Sequence, residues 1–368
     1  MIASPPLPPP VVERPAPFEV SYGVVSGRAP AGTARLVVKA GGRAYRDVAV
    51  RQRAFTVRLD LPPGETTFRV EAVDRQGRRS HATVPNVFAL PQRAAPRFRT
   101  GRLDPLLARD VRAAVRGFGP YAGVYVQNLA TGAGAAWNAK AVFPAASTLK
   151  LAIAVVALSR EEGVPRPGSG LDALLRKMIV VSDDGTANTV LTRIAGSTSS
   201  GGRQVTEMMH SIGLADSEMY GGYIVERTTS AVIPTRVDVQ PSWGIGKRTT
   251  AYDLARLARS VWLASAGRGP LHRALPSFTP GDARYLLYLL AHVRDLPKLS
   301  TTVGKVPGVV VLHKAGWINR ARHDHGLVVW RGGVFVAAVM TYRPAGAGRA
   351  SDRLAGRVAA IALRRFRG

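Results

Sequence analysis

Ser147 and Lys150 stand one helical turn apart in Phe143-Pro-Ala-Ala-Ser147-Thr-Leu-Lys150, at the head of an apolar, helix-forming run. That spacing sets both side chains on one helix face. A serine hydroxyl is a poor nucleophile until a neighbour takes its proton, and a lysine amine can take it when burial or a nearby cation lowers its pKa. The N-terminal end of the helix carries partial positive charge, which disfavours the ammonium form and favours a developing oxyanion. The pair therefore suits nucleophilic acyl transfer. Taken alone, the same residues also describe an N-cap serine with an incidental lysine.

Two further clusters decide between those readings. Val181-Ser182-Asp183-Asp184-Gly-Thr-Ala-Asn188 comes next, and Leu312-His313-Lys314-Ala315-Gly316-Trp317 lies on a predicted strand near the end. The ordered set resembles the S-x-x-K, S-D-N and K-T-G motifs of class A β-lactamases and penicillin-binding serine hydrolases, over roughly Thr100 to Gly368. The resemblance implies that Ser147 carries the acyl group and that Lys150 is its base or relay. It implies that Ser182 passes a proton to the leaving nitrogen and that Lys314 supplies positive charge and helps bind the substrate carboxylate. The oxyanion hole would be the backbone N–H groups of Ser147 and Trp317. Asp184, Ala315, Gly316 and Trp317 would line the substrate. Asn188 would bond the loop that holds Ser182.

The sequence departs from that pattern in three places. Asp184 stands where an amide is usual; a carboxylate only accepts, and it raises the pKa of a nearby lysine. Ala315 replaces a threonine, removing one hydroxyl for a substrate carboxylate, with Arg320 and Arg322 as the candidates to compensate, unless they are simply exposed arginines. Class A enzymes clear the acyl group with a loop glutamate. Between Arg227 and Arg248 the sole acid here is Asp238, and Glu226 lies further upstream than the spacing asks. Acylation without efficient hydrolysis is the expectation.

Rival chemistry is weakly supported. No G-x-S-x-G elbow occurs, which argues against a Ser-His-Asp hydrolase. His313, His323, Asp324 and His325 cluster late, but without the helical spacing of a metal site, and no metal or cofactor is expected. On a strand, His313 faces away from its neighbour Lys314. Asp324 is read as ordering a turn or pairing with an arginine, and Trp317 and Trp330 as packing residues of the sheet, with Trp317 also able to wall the pocket.

These residues need elements to hold them. Met1 to Pro17 is proline-rich and reads as a flexible lead. Short alternating segments with Gly41-Gly42, Pro62-Pro63-Gly64 and Asp74-Arg75-Gln76-Gly77 between them follow, and suggest a small immunoglobulin-like β-sandwich over 18–90. A linker at 91–99 leads to the catalytic segment, 100–368. There helical spacing covers Asp104–Arg116, Ser147–Arg160, Leu171–Val181, Thr186–Ile194, Gln204–Ile212, Thr249–Ala264, Asp282–His292 and Ser351–Arg367. Strands are expected over Tyr121–Leu129, Ala135–Ala139, Val309–Trp317, His325–Trp330 and Val334–Tyr342. Strands at both ends with helices between them predict an α+β domain, one antiparallel sheet closed by both termini plus an all-helical region.

Composition sets outer bounds. The chain has 51 Lys and Arg against 24 Asp and Glu, a net charge of +27, spread from Arg14 to Arg367 rather than gathered in one tract. Such an excess attracts polyanions, an acidic cell-wall polymer among them, but no zinc-finger or aromatic-basic pattern marks a nucleic-acid site. With no cysteine, disulfides and thiolate metal sites are excluded. No apolar run reaches the length of a membrane span, and no signal-peptide core is visible. A monomeric extracellular or envelope-associated protein is expected, although the same N-terminus also fits one kept inside. Three functions stay open: β-lactam ring opening through Ser147; D,D-carboxypeptidase or related chemistry on peptidoglycan peptides; and wall binding by a degenerate catalytic domain.

Overall fold

The computed structural model describes residues 6–119, 121–223, 246–295 and 297–368. The chain divides into two units, Met1–Ala95 and Pro96–Gly368.

The first unit is all β: β1 (Val11–Arg14), β2 (Val20–Ser21), β3 (Val24–Arg28), β4 (Thr33–Ala40), β5 (Arg43–Ala49), β6 (Ala54–Arg58), β7 (Gly64–Asp74) and β8 (Arg79–Ala89). They form one sheet in the order β1-β3-β6 and another in the order β2-β8-β7-β4-β5. Alternation in β4 buries Leu36, Val38 and Ala40, which join Val25, Val57, Phe68, Val70 and Val87 in one core. Gly41 and Gly42, at φ 55° and 79°, close the β4–β5 hairpin as a two-residue turn that L-residues adopt poorly. Val11–Arg14, expected within a flexible lead, instead pairs with β3 as an edge strand. The flanking Pro10 and Pro15 hide that strand in the sequence, because proline is tolerated only at such edges.

The second unit contains β9 (Arg102–Leu103), α1 (Pro105–Arg116), β10 (Ala122–Asn128), β11 (Ala133–Trp137), β12 (Val142–Pro144), α2 (Lys150–Leu158), α3 (Gly170–Val180), α4 (Asp184–Ala195) and α5 (Thr198–Ser211). It continues with β13 (Arg248–Thr250), α6 (Ala251–Ala264), α7 (Gly269–Ala274), α8 (Pro280–Ala291), α9 (Ser300–Val303), β14 (Val309–Ile318), β15 (Ala321–Trp330), β16 (Gly333–Tyr342) and α10 (Arg349–Arg367). The main sheet runs β14-β15-β16-β10-β11-β9, so strands from both ends of the unit meet in it. All pairings in it are antiparallel except β9 with β11.

Every position of β16 is buried, so this strand is covered on both faces. Phe335, Ala337 and Val339 face a core shared with α1 and α10, including Leu107, Val111, Val358 and Ala362. The alternate residues Val336, Ala338 and Met340 turn to the opposite face, where α6 packs. Beyond α6, α2 is buried at all nine positions and is the axis of the helical region. Caps start helices on both faces of the sheet: Asp104 accepts from Leu107 N, Asp183 from Thr186 N, and Thr279 and Asp282 form a capping box at the start of α8. Among the described residues no helix is long and apolar enough to cross a membrane.

Candidate active site

The helix expected from Ser147 begins at Lys150. Ala146–Leu149 forms a tighter 3-10 turn before it, and Ala146 sits at φ 49°. That left-handed residue re-aims the chain as it leaves β12, so Ser147 stands half-buried at the mouth of α2 while Lys150 is fully buried beneath it. Lys150 Nζ lies 3.0 Å from Ser147 Oγ, 2.6 Å from the Ser182 carbonyl oxygen and 2.5 Å from Asp184 Oδ1. Three acceptors match the three N–H bonds of an ammonium. Burial holds Lys150 below the ordinary lysine pKa, and the Asp184 carboxylate opposes that shift.

Ser182 occupies the turn between α3 and α4, at φ 64°, ahead of the Asp183 cap. Its Oγ accepts from Lys314 Nζ at 2.8 Å, and Lys314 Nζ also donates to the Ala315 carbonyl at 2.7 Å. Lys314 is fully buried. Burial, assisted by the charge on Lys150, lowers it to about 7. Two serines and two lysines thus make one continuous network across α2, the α3–α4 turn and β14. A further carboxylate acts on it: Asp295 raises both lysines, and its Oδ1 accepts from the buried Lys298 Nζ at 2.8 Å. Lys298 itself is held at φ 102°.

β14 is one of the two edge strands of the main sheet, and its Gly316 lies against the Ser147 turn. A Cβ there would fall 2.7 Å from both Ser147 N and Thr148 N, so close approach of the two backbones requires glycine. β15 supports the same turn from beneath. His323 Nε2 bonds the Pro144 carbonyl at 2.8 Å while its Nδ1 accepts from Thr341 N at 3.2 Å, a neutral ring. His325 Nε2 lies 3.4 Å from the Thr148 carbonyl. Burial lowers both imidazoles to about 4.

Tyr223 closes the other side. Its ring centroid is 4.6 Å from Lys150 Nζ and 4.8 Å from Lys247 Nζ, and its Oη donates to the Ala146 carbonyl at 3.3 Å. Asn188 clasps its backbone from both sides, donating to Tyr223 O at 2.8 Å and accepting from Tyr223 N at 2.6 Å. Burial raises the Tyr223 hydroxyl pKa well above the ordinary tyrosine value, so it stays protonated.

Residues 106–163 and 167–366, more than half of the chain, match the β-lactamase enzyme family. The chain belongs to that family. Solved structures similar to this β-lactamase-family chain include PBP-A, at 21% identity and a TM-score of 0.57, covering 74% of this chain and 99% of PBP-A. A PBP-A mutant described as an acyl-enzyme complex with penicillin G matches at 21% identity and a TM-score of 0.58, over 73% of this chain and 99% of that one. A class A β-lactamase from Mycobacterium abscessus matches at 17% and 0.52, over 71% and 100%. At such identities the likeness establishes the fold. No curated protein matches.

The fold of the β-lactamase family brings Ser147, Lys150, Ser182, Asp184 and Lys314 into direct contact, with Gly316 against the Ser147 turn. Other expectations are corrected. Asn188 does not bond the Ser182 loop but holds Tyr223. Asp324 lies within β15 rather than at its entry and pairs with no arginine; it accepts from Leu299 N, in the turn before α9, at 3.0 Å and sits 2.8 Å from His313 Nδ1. Trp330 packs on Phe335, whereas Trp317 is 58% exposed at the strand end and packs into no core. Arg322 lies over the Trp317 ring and 3.3 Å from Asp352 of α10, on the sheet face opposite Lys314, so it does not replace the missing threonine hydroxyl. Arg320 is exposed at the β14–β15 turn. Ala315 is fully buried. Asp238 and Glu226 lie outside the described residues. Among the described residues no cluster of His, Asp or Glu groups could hold a metal.

Proposed function

We propose that the second unit opens β-lactam rings by forming an acyl-enzyme on Ser147, and that it releases the acyl group slowly. The observation that carries this reading is the 3.0 Å contact between Ser147 Oγ and a buried lysine whose pKa burial depresses. In its neutral fraction Lys150 accepts the Ser147 proton as Oγ bonds to the carbonyl carbon. The carbonyl oxygen takes the negative charge beside the backbone N–H groups of Ser147 and Trp317. As the C–N bond breaks, Ser182 Oγ protonates the nitrogen and recovers a proton from Lys314 Nζ, 2.8 Å away. Until that transfer, Lys314 supplies positive charge to the substrate carboxylate.

Slow release is inferred from what surrounds Lys150 among the described residues: its one carboxylate contact, Asp184, is engaged by the ammonium itself at 2.5 Å, and Tyr223 beside it is protonated and bonded to a backbone carbonyl. The same feature favours the second reading, D,D-carboxypeptidase or related chemistry on peptidoglycan peptides. Wall binding by a degenerate domain is disfavoured by the complete Ser147–Lys150–Ser182–Lys314 network. The first unit is proposed as an immunoglobulin-like spacer or binding module, and the protein as extracellular or envelope-associated. Incubation with a fluorescent penicillin and a chromogenic cephalosporin tests the assignment. A stable label lost in Ser147→Ala with little turnover is expected. Rapid turnover would refute slow release, and no label with no turnover would refute acylation by these substrates.

A further inference from the structure

We infer that the outer face of α10 is a docking surface for a linear phosphate polymer that carries no bases, of the polyol-phosphate kind. Arg349, Arg353, Arg357, Arg364 and Arg367 are all exposed. At 3.6 residues per turn they fall within an arc of about 80°, along a stripe about 27 Å long. Among the described residues none of the five has a carboxylate partner. The one acid of the helix, Asp352, is buried on the sheet side near Arg322. On the neighbouring helix α1, Arg112 lies over the Trp137 ring and Arg109 is matched by Asp110, so the unmatched stripe is that of α10 itself.

An exposed arginine by itself is ordinary solvated surface. Five in a row without a compensating acid repel one another, and that repulsion is relieved when a polyanion supplies the missing charge. The row is linear, as a single polymer strand is. Proteins that hold single-stranded nucleic acid interleave basic groups with aromatic stacking platforms. This face has none: Phe366, the helix's one aromatic residue, is partly buried against Phe335. A bilayer surface would call for exposed apolar side chains among the arginines, and the apolar side of α10 is committed to the core around Leu354, Val358 and Ile361.

The test is retention of the full chain on immobilised poly(glycerol phosphate) over a salt series. Neutralising five phosphates on a single strand gives a slope of log K against log salt of about −3.5. The triple variant Arg353→Gln, Arg357→Gln, Arg364→Gln is expected to flatten that slope by about 2 and to weaken binding at least tenfold, roughly three phosphate contacts' worth. A control with Arg43→Gln, Arg46→Gln and Arg51→Gln, exposed in the first unit, is expected to bind nearly as well as the wild type. Equal loss in the control overturns the proposal in favour of diffuse charge. Tighter binding to a single-stranded oligonucleotide, or to vesicles of anionic phospholipid, overturns it in favour of those partners. Labelling of Ser147 by the fluorescent penicillin, read on the same preparations, verifies the fold of each variant and separates failure of this surface from failure of the acylation reading.

Discussion

Replacing Asp184 with asparagine should make Ser147 a faster nucleophile. Asp184 Oδ1 is 2.5 Å from Lys150 Nζ, and 35% of the aspartate side chain is exposed. Two unit charges at that distance attract by about 1.7 kcal/mol in a water-like medium and by about 3.3 kcal/mol if the effective dielectric constant is halved. Solvent at the exposed carboxylate keeps the value towards the lower figure, so about 2 kcal/mol is at stake. Losing that attraction lets burial lower the lysine's pKa further. An asparagine oxygen still accepts from Lys150, so the geometry survives while the charge goes. Below its pKa the neutral fraction of a lysine grows tenfold for each ~1.4 kcal/mol of attraction removed from the ammonium, and Asp184→Asn is therefore expected to accelerate acylation near neutral pH by about 30-fold. Stopped-flow fluorescence with a fluorescent penicillin, run over a range of pH, reads both the rate and the midpoint of its acid limb. The midpoint should move to lower pH. A slower rate at every pH with an unmoved midpoint would refute the reasoning and make Asp184 a proton acceptor in its own right.

Three other perturbations follow from the geometry. Gly316→Ala forces a methyl group to 2.7 Å from Ser147 N and Thr148 N, so acylation should fall by at least 100-fold for a stability cost of about 1–3 kcal/mol; an unchanged labelling rate would show that the strand is not held against the turn. Asn188→Ala removes both bonds to the Tyr223 backbone and should cost about 1–3 kcal/mol in denaturant unfolding, with faster exchange of the Tyr223 amide as the specific signature. His323 and His325 sit at about 4 in the fold against an ordinary 6.5, so the unfolded chain binds more protons between those values. Stability should be full above about pH 6.5 and drop as the pH falls towards 4, by on the order of 3 kcal/mol per histidine. A Tm that stays level across that window would contradict the neutral, buried assignment.

Much of the site is written locally in the sequence. Ser147-x-x-Lys150 is a one-turn relation, and alternation on a buried strand sets His313 and Lys314 on opposite faces, so periodicity reaches both. What could not be read was partnership across long separations. Tyr223 is 73 positions from the lysine it covers, in a glycine-rich stretch with no periodicity, and only the fold brings Asn188 to it. Asp295 and Lys298 lie in Asp-Leu-Pro-Lys, which reads as an exposed loop, yet Lys298 is buried. The histidines of β15 offered a hint in their two-residue spacing, which puts both on one strand face. There both bond backbone carbonyls on either side of Ser147, those of Pro144 and Thr148.

The left-handed residues around the network carry a consequence for how the molecule fails. Ala146, Ser182 and Lys298 all have positive φ and none is glycine, so each costs on the order of 1 kcal/mol locally and persists because its surroundings impose it. The reactive centre is thus a tensioned region set on a relaxed scaffold of α2 and the main sheet. Mild denaturant or warming should let these turns relax as a local opening while the core stays folded, and penicillin labelling should vanish before the helical signal does. Ala146→Gly, by easing that tension, is a natural route to a longer-lived but less sharply aimed serine.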